Sequence, residues 1–174
     1  GAIREGLAQC RLPPGRFNIQ AVEDVLFIDD SYNANPCSME AAFDTFEDLC
    51  QGASGGRNIA VLGEMRELGE RAGYYREEVG RLLAGKPIDL LVTVSGLSVR
   101  LAEAFTGELE KLGRARDAMT MNFEELSEAR EYLSQELRPG DRILFKASNS
   151  VGLGKFADEL RETLGNTERE MPLV

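Results

Sequence analysis

The sequence predicts an α/β fold: a six-stranded sheet with five parallel strands and one antiparallel edge strand, covered by helices on both faces. Three observations carry the prediction. Short strand-like runs at 25–29, 58–63, 89–95, 118–122 and 142–147 alternate with longer stretches whose apolar residues recur at helical spacing. Four of the five runs are continuously apolar, as strands are when helices cover both sheet faces. A strand–helix repeat with short connections makes successive strands parallel.

The elements follow in order. "AIREGLAQC" has the pattern of a short helix, and residues 1–12 are expected to be a linker or the end of a preceding domain. The chain opens on Gly and not Met, and reads as a piece of a longer polypeptide. "GRFNIQAVEDVLFIDD" holds two strands, 16–20 and 25–29, joined by "AVED". So close a connection forces an antiparallel pair, because a parallel crossover needs about a dozen residues or more. In "SMEAAFDTFEDLC" the residues Met39, Ala42, Phe43, Phe46, Leu49 and Cys50 fall on one helical stripe. Comparable segments at about 68–84, 97–112, 123–137 and 153–164 follow the other strands. The domain is expected to span 13–165, with 166–174 as a tail.

Composition sets the function classes aside or keeps them. A length of 174 residues suits one domain with its own core. A net charge of −10 argues against non-specific nucleic-acid binding, which needs a basic footprint. No apolar run approaches the length of a membrane span, and no signal segment opens the chain. The sequence has no histidine, which removes the commonest general base and metal ligand. Cys10, Cys37 and Cys50 have no C-x-x-C spacing and read as reduced structural thiols.

Three loops at strand ends carry the polar chemistry. The first is "FIDDSYNANP", 27–36, where a strand stops at two aspartates and Asn35-Pro36 opens a helix. In open α/β sheets ligands bind at such strand ends, and carboxylates there accept hydrogen bonds from vicinal hydroxyls. The same residues also suit an Asx-turn with a helix cap, needing no ligand. The second is "LGEMRELGE", 62–70, where Gly63 permits a sharp turn and Glu64 and Arg66 either converge on the first loop or are solvated. The third is "KASNSVGLGKF", 146–156, a Ser- and Gly-rich loop flanked by Lys146 and Lys155, which read either as ligand groups or as surface lysines. "AGKP" at 84–87 lacks the spacing of a phosphate-binding P-loop, and no G-x-G-x-x-G follows the first strand.

Together "PGRF", "DDSYNANPCSMEAAF", "AVLGEMRELGE" and "ILFKASNSVGLGKFADEL" resemble the C-terminal domain of the Mur ligases. The motifs span residue 13 to about 160. The resemblance implies a Rossmann-like three-layer fold inside a three-domain, ATP-dependent, amide-forming ligase of cytoplasmic peptidoglycan synthesis. The Asp-Ser-Tyr-Asn-Ala-Asn-Pro string is similar to the branch that adds D-alanyl-D-alanine to UDP-N-acetylmuramoyl-tripeptide. Sister ligases and folylpolyglutamate synthase usually have histidine where this chain has Asn33. By this resemblance the N-terminal and central domains of the same chain hold the UDP-sugar, the P-loop and the Mg2+ ligands. This domain would close over ATP and bring the dipeptide, with no catalytic or metal-ligating residue of its own.

Carried over by position, Asp30 implies a contact to the ATP ribose and Arg16 one to its phosphates, with Tyr32 and Asn33 beside the nucleotide. Glu64, Arg66, Ser148, Asn149 and Ser150 fall where the incoming dipeptide is met. Glu64, Ala147 and Asn149 depart from the commoner family pattern. Asp30→Ala is expected to weaken ATP binding and spare the fold. A free-standing nucleotide-binding module, or the equivalent domain of a sister ligase or of folylpolyglutamate synthase, is the alternative.

Overall fold

In the computed structural model, which describes residues 13–167 except 54, 96 and 97, the first two strands form a hairpin. Strands β1 (Asn18–Val22) and β2 (Val25–Asp29) pair antiparallel from Val22 opposite Val25. Only Glu23 and Asp24 lie between them, at φ 50° and 57°. A two-residue turn with both φ positive matches the right-handed twist of the strands. β1 therefore starts two residues later than the expected 16–20, because the turn takes the Glu-Asp pair and not four residues.

The remaining elements alternate as expected. They are α1 (Pro36–Cys50), β3 (Asn58–Leu62), α2 (Ala72–Ala84), β4 (Leu90–Val94), α3 (Val99–Lys111), β5 (Met119–Phe123), α4 (Leu126–Glu136), β6 (Arg142–Lys146) and α5 (Leu153–Thr167). The sheet order is β1-β2-β6-β3-β4-β5, and every pair except β1–β2 is parallel. The expected helix over 68–84 begins only at Ala72, after a 3-10 turn at Gly69–Arg71. The last helix runs two residues past the expected boundary at 165. The helix expected within 1–9 and most of the expected tail lie outside the described residues.

The pleat explains two cores. Ile28, Ala60, Leu62 and Leu144 face one way, against Phe43 and Phe46 of α1, Leu83 of α2 and Phe105 of α3. Phe27, Val61, Ile143 and Phe145 face the other way, against Leu133 of α4 and Phe156 and Leu160 of α5. Phe145 stacks on Phe27 at 5.9 Å between ring centres and meets Phe156 edge-on at 5.8 Å. At the amino rim the buried Asp141 accepts from the Arg57 backbone N–H (2.8 Å), Arg57 Nη2 (2.7 Å) and the Arg138 backbone N–H (3.0 Å). These bonds tie the loop before β3 to the loop before β6.

The carboxyl rim is arranged differently. β6 lies between β2 and β3, yet the segment leaving β6 runs to α5 on one face while those leaving β2 and β3 run to α1 and α2 on the other. Diverging loops open a crevice at this point of the sheet, where ligands of open α/β folds bind.

Candidate functional site

Asp29, the last residue of β2, and Asp30, the first beyond it, point to opposite sides of the sheet, continuing the alternation of the strand. Asp29 is buried, and its Oδ1 accepts from the Ser31 backbone N–H (3.0 Å) and Ser31 Oγ (2.5 Å). It is the Asx-turn carboxylate. A Cβ at Gly154 would stand 2.8 Å from Ser31 Oγ, so the first turn of α5 packs directly on this turn.

Asp30 faces the other way and meets a lysine. Lys146, the last residue of β6, is 2% exposed. Its Nζ donates to Asp30 Oδ2 at 2.5 Å and to the Asn33 carbonyl at 3.1 Å. The second carboxylate oxygen, Oδ1, accepts the Phe17 backbone N–H at 3.1 Å. Phe17 reaches it with φ 52°, a conformation unfavourable for a bulky residue and held here by that bond and its neighbours. The turn is fixed at a second point by the Tyr32 N–H donating to the Gly15 carbonyl at 2.9 Å. Gly15 has φ 72°, and a Cβ there would meet Tyr32 N at 2.9 Å. The Arg16 guanidinium lies 4.4 Å from the centre of the Tyr32 ring, on an exposed cation–π contact.

The loop then enters α1 through a capping box. Asn35 Oδ1 accepts from Ser38 N (2.9 Å) and Ser38 Oγ accepts from Asn35 N (3.0 Å), with Pro36 at the first helical position. Asn33 Oδ1 accepts the N–H of Ala34 at 2.8 Å.

The second and third loops are sewn together. The Ser148 N–H donates to the Glu64 carbonyl (3.0 Å), and Ser148 Oγ accepts the Arg66 backbone N–H (2.8 Å). No side chain fits at Gly63: a Cβ would stand 2.8 Å from both Ala147 Cβ and Val151 Cγ1. The Glu64 carboxylate lies between Arg66 Nε (3.4 Å) and Arg76 Nη2 (3.3 Å). Arg76 is buried, and its Nη2 also donates to the Met65 carbonyl at 3.3 Å. The 3-10 turn Asn149–Val151 ends at Gly152, whose φ of 85° glycine adopts without strain.

These loops enclose a cavity of about 630 Å³, lined by Tyr32, Asn33 and Asn35 from the first, Arg66 from the second, and Ser148, Asn149 and Ser150 from the third. The structure thus brings six of the nine sequence-derived site residues to one cavity. Asp30 and Glu64 do not line it; Asp30 is linked to its rim through Lys146 and Asn33, and Arg16 stacks on Tyr32. The exposed Arg66 guanidinium and Glu67 carboxylate, set among amides and hydroxyls, suit a small zwitterionic ligand.

Two residues went unassigned in the sequence. Lys146 is not a surface lysine, whereas Lys155 is, with its side chain 84% exposed and 3.4 Å from Glu159. Arg76 lies in mid-helix, and only its burial reveals that it buttresses Glu64. The pairing of Asp30 with Lys146 argues against the expectation that Asp30→Ala spares the fold, because that change strands a buried ammonium. Cys37 is exposed on α1, and Cys50 is half-buried, where burial pushes its thiol up. Among the described residues no group of three or more Asp, Glu or Cys side chains converges as a metal site would. No helix among them is long and apolar enough to cross a membrane.

Comparison with known proteins places this geometry in context. Residues 15–149 match the family described as Mur ligase, glutamate ligase domain. Over 160 residues the chain is 38% identical to the UDP-N-acetylmuramoyl-tripeptide–D-alanyl-D-alanine ligase of Mycobacterium tuberculosis (strain CDC 1551 / Oshkosh), covering 85% of this chain and 31% of that protein. The chain therefore spans about a third of the length of this relative. Among solved structures, MurF from Acinetobacter baumannii superposes with a TM-score of 0.74 at 28% identity, covering 91% of this chain and 33% of the other. MurF from Thermotoga maritima, crystallised with ADP, shares the fold at a TM-score of 0.72 and 24% identity, covering 92% and 34%.

Proposed function

The chain belongs to the Mur ligase family through its glutamate ligase domain, and from that premise we propose that it is the nucleotide-capping, dipeptide-positioning domain of a D-alanyl-D-alanine-adding ligase. The whole enzyme joins the dipeptide to UDP-N-acetylmuramoyl-tripeptide with ATP, in the cytoplasm. The N-terminal and central domains of the same polypeptide supply the UDP-sugar site, the phosphate loop and the Mg2+ ligands.

The observation that carries the reading is the convergence of the β2, β6 and β3 loops, with their family motifs, on one cavity at the switch point. The nucleoside half of ATP fits the first loop. An ionised carboxylate offers about four lone-pair sites. Asp30 uses one on each oxygen, which leaves acceptors for ribose hydroxyls. Tyr32 offers a half-exposed ring beside them, and Arg16 a cation for the phosphates.

On the other side of the cavity Arg66 suits the dipeptide carboxylate, with Ser148, Asn149 and Ser150 as neutral partners and Glu64 holding the Arg66 side chain. No nucleophile or general base is required of this domain. Its part is to orient the attacking amine and to exclude water from an activated carboxylate.

Phosphate release by the full-length ligase, measured with D-alanyl-D-alanine, D-glutamate and a diamino acid in turn, tests the reading. Turnover dependent on the dipeptide alone is expected; equal turnover with a single amino acid would overturn it. The isolated chain is expected to bind ATP weakly and to release no phosphate.

A further inference from the structure

We infer that Lys146 is a positioning residue for the nucleotide: its ammonium holds the Asp30 carboxylate in the orientation that receives the ribose hydroxyls. The inference deepens the nucleotide reading above and rests on it. A carboxylate at the mouth of a strand turns about its last torsion with little preference. Accepting two vicinal hydroxyls requires one edge to be presented in one direction.

Two contacts settle that direction. Lys146 Nζ takes Asp30 Oδ2 at 2.5 Å, and the Phe17 N–H takes Oδ1 at 3.1 Å. Lys146 is itself immobilised, 2% exposed at the end of the central strand β6 and bonded to the Asn33 carbonyl at 3.1 Å. The ammonium thus ties the nucleotide loop to the strand that leads, two residues later, into Ser148. Among the described residues no other side chain forms a hydrogen bond or ion pair with Asp30, so the lysine is the only side chain that aims the carboxylate.

The test uses the full-length ligase and two nucleotides, ATP and 2′,3′-dideoxy-ATP, with turnover read through whichever amine supports it. Reading it this way separates failure here from failure of the dipeptide assignment. Hydrogen bonds from the ribose to a charged acceptor make the wild-type Michaelis constant for the dideoxy nucleotide about 10- to 100-fold higher.

In Lys146→Met the constant for ATP is expected to rise about tenfold or more and that ratio to collapse to within about threefold, the dipeptide constant shifting far less. Lys146→Arg, which restores a charged donor, is expected to regain part of the ratio. Should Lys146→Met unfold at the assay temperature, Lys146→Gln, with a neutral donor opposite Asp30, is read in the same way. A retained ratio in the Met or Gln variant overturns the inference. So does a loss confined to kcat, which would put the ammonium on the reacting phosphate and not behind the ribose acceptor.

Discussion

Replacing Asp30 by alanine leaves the Lys146 ammonium, 2% exposed, with one hydrogen-bond acceptor, the Asn33 carbonyl. Breaking a buried ion pair by removing one partner costs about 3–5 kcal/mol. The Asp30 side chain keeps 19% exposure, so water screens part of the attraction and the lower end applies. Loss of the acceptor for the Phe17 N–H adds about 1 kcal/mol, for a total of about 4 kcal/mol. At roughly 2–4 °C per kcal/mol for a chain of this size, the midpoint falls by about 8–16 °C.

The chain has no tryptophan, so far-UV circular dichroism is the suitable signal for urea and thermal unfolding. The urea midpoint should fall with an unchanged slope. Asp30→Asn combined with Lys146→Met removes both charges at nearly constant volume and is expected to recover to within about 1–2 kcal/mol of wild type. An Asp30→Ala protein within about 1 kcal/mol of wild type would refute the ion-pair reasoning. So would a double variant no more stable than the single.

Three further outcomes follow from the geometry. Ser148→Ala unpairs the Arg66 N–H, costs about 1–2 kcal/mol, and should raise the dipeptide Michaelis constant of the full-length ligase while sparing that for ATP; equal effects on both substrates would place the hydroxyl elsewhere. Gly63→Ala drives a methyl to 2.8 Å from Ala147 and Val151 and should destabilise by about 1–3 kcal/mol, read from the urea midpoint. Hydrogen bonds from Lys86 to Asp44 (2.5 Å) and Glu47 (2.8 Å) raise its pKa above the ordinary 10.5. The lysine therefore contributes stability that is complete below about pH 10.5 and lost as pH rises through the folded value. Thermal midpoints across the alkaline range should show Lys86→Met losing that part of the decline.

The strand and helix order was legible because burial on both faces leaves predominantly apolar runs such as "NIAVL" and "LLVTV", both wholly buried. The edges were less clear. β1 is mostly exposed, and its turn uses Glu23-Asp24 with positive φ, a pair without the Asn-Gly signature of such turns. The cavity was legible as three loops, since topology alone puts the ends of β2, β6 and β3 side by side. What composition and spacing hid was the pairing within it. A lysine closing an apolar strand reads alike whether it meets solvent or a carboxylate 116 positions away. Asp29 and Asp30 likewise look equivalent until the pleat assigns one to a local turn and the other to Lys146.

The Gly15–Phe17 turn grips Asp30 and Tyr32 through two backbone hydrogen bonds and then continues straight into β1. The polypeptide thereby braces the first loop of its own binding crevice with the residues through which it enters the sheet. A tug on that entry segment reaches Asp30 and the Tyr32 backbone before it disturbs any parallel strand. On the proposed nucleotide reading, strain entering at this turn would be felt first by the groups assigned to the nucleoside.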